Sequence, residues 1–397
     1  MTSAAAYDPF APDVKRDPYP FYAALRRDAP VLEVAARGWW AVARHADVGF
    51  ALRRPDLFSS SVNSDRADIP ARETLLGSDP PAHTGLRKRV ERSFTPRRIR
   101  ALADRLEGLA RELVAGFEAR GACDVVASLA APLPVTIIAE LMGIDPARGS
   151  DFKVWADAII ARGTGRPSDV DRAVLDARVR EFKAYLGEAI EARRRAPGDD
   201  LLGALVRDED GAAGLSPAQA LNFAVLLLIG GSETATNLIG NTLRALFADA
   251  QALARVRADR ALVPALVEEA LRFDAPVQSL LRRTTAEVEL AGARIPAGAI
   301  VLLLLGSANR DESVFADADR FRLDRAATKH LAFGAGPHYC LGATLARLEA
   351  EAALGAVLAL PNLRLARPEV PLVDSYVLRG PRALEIAFDV RAPSTEA

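Results

Sequence analysis

The segment Phe333-Gly334-Ala335-Gly336-Pro337-His338-Tyr339-Cys340-Leu341-Gly342 constrains this chain more than any other stretch. Two glycines and a proline force an irregular loop. Residues 343–358 then have helix composition, which places Cys340 at a helix N-terminus. Free backbone N–H groups and the positive end of the helix dipole stabilise an anion at such a position. The expected consequence is a lowered thiol pKa and a favoured thiolate, the form that ligates metal.

The surroundings limit what Cys340 can serve. The chain has 397 residues, 50% of them hydrophobic and 26% charged, enough to bury a large core with interior left over for a cofactor. Lys plus Arg is 51 and Asp plus Glu 52, a net charge of -1, which argues against a general nucleic-acid binder. Cys123 is the only other cysteine, so a disulfide framework is not expected. It lies in no motif and reads as an incidental, partly buried thiol. Residues 1–20 lack the basic and apolar regions of a signal peptide. The longest uninterrupted apolar runs, 224–229 and 299–305, are far short of a membrane span. These features predict a cytoplasmic protein with reduced thiols. No repeat or linker divides the sequence, so one domain is expected over 1–397, with 390–397 a frayed polar tail.

Helical patterns prevail. Leu102, Leu106, Leu109, Leu113 and Phe117 recur at helical spacing. Residues 170–194 read as a charged amphipathic helix. Ser216-Pro217 opens a long helix reaching about residue 247. A further helix covers 264–273 and ends before Pro276. Strands are short: 39–43 after the Arg37-Gly38 turn, then 288–290, a turn at Gly292, and 299–305, the last two in one small sheet. Trp39 and Trp40 pack in the sheet region. The fold class is mainly α with a small β region.

A lone thiolate without a second cysteine nearby does not make a zinc site, but it suffices as the single axial ligand of a haem iron. The full F-G-x-G-x-H-x-C-x-G pattern, with the motifs below in order, resembles the cytochrome P450 family of the soluble bacterial type. The resemblance extends from Asp17-Pro18-Tyr19-Pro20 to Leu378-Arg379-Gly380. It implies haem b buried between helices, with Cys340 as axial thiolate and Phe333 in the haem-binding loop. Glu269-Ala270-Leu271-Arg272 fits the family's E-x-x-R helix, about 70 residues before Cys340, and Asp319-Arg320-Phe321 its second arginine, which should join the pair. This triad is assigned to structure. Ala318 stands where many relatives have proline.

Gly230-Gly231-Ser232-Glu233-Thr234 interrupts the long helix with adjacent glycines, each costing roughly 1 kcal/mol against alanine. Their missing side chains let a flat ligand approach at Gly231 and allow the helix to widen locally. The resemblance assigns Glu233 and Thr234 to the acid–alcohol pair that delivers protons beside bound oxygen. A hydroxyl that donates and accepts, fed from an acid, suits that task.

Haem carboxylates need cations when buried. His83 and Arg87, four apart on one helix face, His338, and Arg282 on a strand are the candidates; Arg283 should point to the other face. His45 and His330 are left as structural or surface residues.

The implied reaction is monooxygenation: insertion of one oxygen atom from O2 into a hydrophobic molecule of terpenoid, steroid, fatty acid or macrolide type. The loop 60–76, Val225, Leu226, Ile229, Gly230, Val277, Gln278, Tyr376 and Val377 are the expected pocket, with Gln278, Ser279 and Tyr376 as hydrogen-bond partners. No flavin or nicotinamide fingerprint is present, so electrons come from a separate ferredoxin and its reductase. The cluster Lys88, Arg89, Arg92, Arg97, Arg98 and Arg100 is an expected docking face for that acidic partner. No nucleic-acid or membrane partner is expected, and the protein should be a monomer. The alternatives are desaturation or C–C coupling on the same core, or a non-catalytic haem sensor, which would need no proton relay.

Overall fold

The computed structural model describes residues 3–63, 74–164, 169–196, 198–208, 213–325 and 329–390. The expected tail, from 391 on, and most of the pocket loop 60–76 lie outside them. Helices follow in the order α1 (Pro12–Arg16), α2 (Tyr19–Asp28), α3 (His45–Arg53), α4 (Ala82–Ser93), α5 (Pro96–Arg100), α6 (Ala103–Glu118), α7 (Pro132–Met142) and α8 (Gly149–Thr164). Then come α9 (Asp169–Arg195), α10 (Leu201–Val206), α11 (Pro217–Ala248), α12 (Ala250–Ala258), α13 (Val263–Phe273), α14 (Leu305–Ala308) and α15 (Ala343–Val357).

The capping chemistry at Ser216 explains where α11 starts. Its hydroxyl accepts from the Gln219 N–H at 3.2 Å and the Gln219 side chain accepts from the Ser216 N–H at 3.2 Å, with Pro217 in the first turn. The helix then runs as a regular α-helix to Ala248, straight through Gly230-Gly231. The expected local widening is not there: the α-helical pairing is unbroken, with Gly231 packed on α7 and Gly230 facing open space. Among the described residues α11 is the one helix long and apolar enough to cross a bilayer by composition. Counting uninterrupted apolar runs overlooked it. Here the same composition packs against α7, α9, α13 and α15. One apolar cluster spans Leu86 to Phe388 and joins α4, α6, α7, α11, α13 and α15.

Strands β1 (Val31–Val34), β2 (Trp39–Val42), β3 (Phe58–Ser59), β5 (Leu280–Thr284) and β8 (Ile300–Leu303) form a five-stranded sheet in the order β1-β2-β8-β5-β3. Strands β4 (Ala122–Asp124), β9 (Arg364–Leu365) and β10 (Glu385–Ala387) form a second sheet. The expectation that 288–290 and 299–305 share a sheet is corrected. Strand β6 (Val288–Leu290) turns back on β7 (Ala293–Ile295) as a separate ribbon, while β8 lies between β2 and β5. Apolar composition marked both segments as strands, and both feed one apolar cluster, Val288, Leu290 and Ile295 beside Val42, Val301 and Leu303, so composition did not encode which strands pair.

Candidate functional site

The cysteine loop is held by backbone geometry. Gly334 and Gly336 have φ of 70° and 69°, a region that disfavours side chains. A Cβ on Gly336 would come within 2.6 Å of the Leu52 carbonyl oxygen, so the loop lies directly on α3. The Cys340 N–H donates to the Phe333 carbonyl at 2.9 Å, closing the loop just before α15. Burial pushes the Cys340 thiol pKa up, against the opposing effects of the Gly342 backbone N–H and the charges of Arg87 and Arg347. The expected net lowering is therefore corrected: desolvation outweighs the helix start, and a bound metal cation would favour the thiolate.

Near that loop lies a group of imidazole and guanidinium side chains. His83 on α4 is 1% exposed, and neither ring nitrogen has a hydrogen-bond partner. Its ring lies 4.0 Å from that of His338, centroid to centroid. The His338 Nε2 is 3.1 Å from the Ser60 hydroxyl. Burial, then the charges of His83, Arg282 and Arg87, push His338 down to about 3. Arg282 on β5 is buried while Arg283 is not, as strand alternation predicts. Burial pushes Arg282 down to about 10, and the opposing carboxylate is Asp79. Asp79 is itself engaged by the Ser60 N–H at 2.9 Å and the Ser59 hydroxyl. Arg87 donates to Glu91 at 2.6 Å and to the Tyr339 carbonyl at 2.7 Å, tying α4 to the residue before Cys340. Orphaned imidazole nitrogens beside a desolvated guanidinium cost free energy unless an anion completes them. A dicarboxylate ligand with a central metal facing Cys340 fits this donor set, and haem is such a ligand.

On α11 the predicted face is uncovered inside a helix that is otherwise core. Val225, Leu226, Ile229, Glu233 and Thr234 are half-buried and Gly230 is exposed. A Cβ on Gly230 would meet nothing within 4 Å, whereas one on Gly231 would be 2.8 Å from Ile138 Cδ1. Gly231 thus serves the packing of α11 on α7, and Gly230 is the position that leaves space. The Thr234 hydroxyl donates to the Gly230 carbonyl at 2.5 Å. Burial pushes the Glu233 carboxyl up to about 7.

Behind the loop, Glu269 and Arg272 pair at 2.8 Å at 2% and 0% side-chain exposure. Arg272 also donates to the carbonyls of Asn309, Ala318 and Arg320. The second arginine is corrected: Arg320 offers only its carbonyl, and Arg325 reaches Glu269 at 3.1 Å. The loop between Asp317 and Asp324 turns the Arg320 backbone inward and carries Arg325 back beneath α13.

Several pocket expectations are redirected. Gln278 is 3% exposed and donates to the Ala275 carbonyl at 2.8 Å and to Tyr19 at 3.3 Å, so it is committed to the interior. The Ser279 hydroxyl donates to the Tyr376 carbonyl at 3.0 Å. The Tyr376 ring packs on Phe10 and Trp39, at 4.6 and 6.0 Å. Val277 bridges Leu378, and the Gln278 N–H donates to the Val377 carbonyl at 2.7 Å. These residues stitch two segments together through backbone pairing, with Val277 and Val377 half-buried. Cys123 is buried, and its thiol is pushed up to about 11 by desolvation. An open concavity of about 680 Å³, lined by Val114, Val263 and Leu348 among others, contains none of the site residues above.

Of the two roles expected for His330, structural or surface, the structure gives the first. Its side chain is 3% exposed and its Nε2 lies 3.3 Å from Glu268, which also pairs with Arg347 at 2.5 Å. Neither Glu268 nor Arg347 stood out in the sequence; the available signal was Glu268 beside the E-x-x-R glutamate and Arg347 one helical turn into α15.

The family model for Cytochrome P450 matches residues 168–371. The cytochrome P450 monooxygenase PikC of Streptomyces venezuelae is 39% identical over 391 residues, covering 95% of this chain and 92% of PikC. Vitamin D(3) 25-hydroxylase of Pseudonocardia autotrophica is 37% identical over 405 residues, covering 98% of each. Among solved structures, cytochrome P450 CYP109Q5 from Chondromyces apiculatus superposes with a TM-score of 0.90 at 39% identity, covering 98% of this chain and 99% of that one. CYP109E1 from Bacillus megaterium in complex with corticosterone gives 0.88 at 32% identity, covering 95% of this chain and 100% of that one. The chain belongs to the cytochrome P450 family and is a haem-thiolate monooxygenase.

Proposed function

We propose that this enzyme hydroxylates or epoxidises a rigid, steroid-sized hydrophobic molecule, with Cys340 as the iron ligand and electrons from a separate ferredoxin and reductase. The observation that carries the site assignment is the buried nitrogen group of His83, His338 and Arg282 beside the Cys340 loop, in which neither His83 ring nitrogen has a partner among the described residues. Together with Arg87 these side chains would hold the haem carboxylates. Phe333 and the α11 backbone at Gly230, rather than the expected Gly231, complete the site. When bound, haem supplies the redox centre at which O2 is reduced and one oxygen atom passed to substrate.

The chain's own residues do the rest. Gly230 keeps space open beside the reacting centre. Thr234, on the same face, holds a hydroxyl that donates to a backbone carbonyl and remains able to accept a proton from Glu233, directly or through water. Glu233 is held near half-protonation at neutral pH, which suits an acid that must both give and regain a proton. Val225, Leu226, Ile229, Val277 and Val377 provide apolar walls that exclude water and fix substrate orientation.

The substrate class is supported by those walls and by relatives named as a vitamin D(3) 25-hydroxylase and a cyclomarin C epoxidase, and by the corticosterone complex. Both cysteines are unpaired, in keeping with a cytoplasmic setting. For electron transfer, Lys88, Arg92, Arg97 and Arg100 present an exposed basic face on α4 and α5. Arg89 and Arg98 are withdrawn from the expected docking set, because they donate to the Gly214 and Asp199 carbonyls.

The decisive test is the reduced, carbon-monoxide-treated protein. Wild type should show the red-displaced absorption of thiolate ligation, and Cys340→Ser should lose it. A wild-type protein without that band would overturn the assignment. A steroid library, screened by the spectral shift on substrate binding and then by product mass, identifies the substrate. Products that lose hydrogen without gaining oxygen would favour desaturation or coupling.

A further inference from the structure

The three side chains Glu268, Arg347 and His330 come from α13, α15 and the segment leading into the cysteine loop, and they meet behind it. Glu268 takes Arg347 bidentately, at 2.5 and 3.2 Å. The Arg347 guanidinium lies over the Phe333 ring at 4.5 Å from its centroid. Phe333 is the residue whose carbonyl accepts the Cys340 N–H. The oxygen that takes Arg347 Nη2, Oε2, also meets His330 Nε2 at 3.3 Å, and His330 Nδ1 accepts the Ala332 N–H at 3.3 Å. The second contact fixes the tautomer: Nδ1 is an acceptor, so Nε2 carries the proton and donates to Glu268. One carboxylate thus fastens both ends of the Leu331–Phe333 segment. It also neutralises a guanidinium stacked on Phe333, the residue whose carbonyl holds the Cys340 N–H.

We propose that Glu268 is a positioning residue that, through Arg347 and His330, fixes the Phe333 carbonyl and sets how much positive charge the haem–thiolate centre experiences. The proposal rests on Cys340 being the iron ligand. Reduction adds an electron at the iron, so a nearby uncompensated cation favours the reduced form. Removing the Glu268 charge therefore raises the reduction potential, and removing the Arg347 charge lowers it. A strut with no electrostatic role would move both variants in the same direction, or neither.

The experiment measures the reduction potential and the carbon-monoxide difference spectrum of the purified holoenzyme for wild type, Glu268→Gln, Arg347→Met and His330→Gln. Methionine keeps the apolar stem over Phe333. Glu351, one turn beyond Arg347 and coupled to both charges, could take over as partner, so each variant is also made with Glu351→Gln. The expected result is a rise for Glu268→Gln and a fall for Arg347→Met, the rise larger without Glu351, with the thiolate band kept. His330→Gln should keep the potential of wild type but release more of its loop amide to hydrogen exchange at Ala332. Shifts of the same sign, unchanged potentials, or loss of the thiolate band in both charge variants would overturn the proposal. Absence of the band from wild type would instead remove the ligand assignment beneath it.

Discussion

Two groups of buried charge lie on opposite sides of the Cys340 loop, and they differ in completeness. Behind it, Arg272 has every donor direction filled, by both Glu269 oxygens and the carbonyls of Asn309, Ala318 and Arg320. In front, among the described residues, His83 has neither nitrogen satisfied and Arg282 has the Leu281 carbonyl at 2.8 Å and the influence of the Asp79 carboxylate. Proteins rarely leave buried polar groups unpaired. The closed group is built for the fold. The open one is built for a partner that arrives with its own negative charge.

This contrast makes a strong demand at each side. Arg272→Ala would leave the buried Glu269 carboxylate with Arg325 as its one remaining cation among the described residues, a loss approaching about 3–5 kcal/mol. Urea unfolding should show it, with little haem-loaded protein recovered. Arg282→Ala and His338→Ala should do the reverse. Each removes a side chain proposed to hold a haem carboxylate, and a charged hydrogen bond of that kind is worth about 1.5–3 kcal/mol, so haem retention should fall roughly ten- to hundredfold. The unfolding midpoint of the haem-free protein should hold or rise, since a desolvated group is gone. A haem-free form as destabilised as Arg272→Ala would erase the distinction between the two groups.

The relay on α11 sharpens it from a third position. Thr234→Ala and Glu233→Gln should leave the substrate-induced spectral shift intact while lowering coupled turnover by about 10²-fold, with electrons lost to peroxide. Peroxide assays decide this, and unchanged coupling would take both residues out of the mechanism. The Glu233 pKa of about 7 gives a pH test. Its raised value means the proton is present below about pH 7 and lost above it, so proton-limited turnover should fall as pH rises through 7. Glu233→Gln should flatten that limb. The smallest effect belongs to the surface. Neutralising Lys88, Arg92, Arg97 and Arg100 together should slow ferredoxin-driven reduction several-fold at low salt and weaken its salt dependence.

The motifs located the site because each encodes a local requirement. Glycine at 334 and 336 answers a positive φ, Ser216-Pro217 a helix start, and Glu269 with Arg272 one turn of a helix face. The misreadings all concern residues whose role depends on what lies across a gap in the chain. Arg320 and Arg325 are equally plausible on paper, and loop conformation alone chose Arg325. Gly230 and Gly231 are adjacent and chemically identical, yet Ile138 of α7 sits against one and open space against the other. Gln278 and Tyr376 look like pocket polar groups until Tyr19, Phe10 and Trp39 occupy them.

Sequence by itself determined the family, the helical class, the cysteine loop and the catalytic candidates on α11, because these follow from residue type at fixed short spacing. Only the tertiary structure decided which buried charges are closed and which are open. It also decided the protonation tendency of Cys340 and Glu233 and the placement of Glu268 between Arg347 and His330. Desolvation and hydrogen-bond completion depend on every element packed around a group, and spacing along the chain carries no record of them.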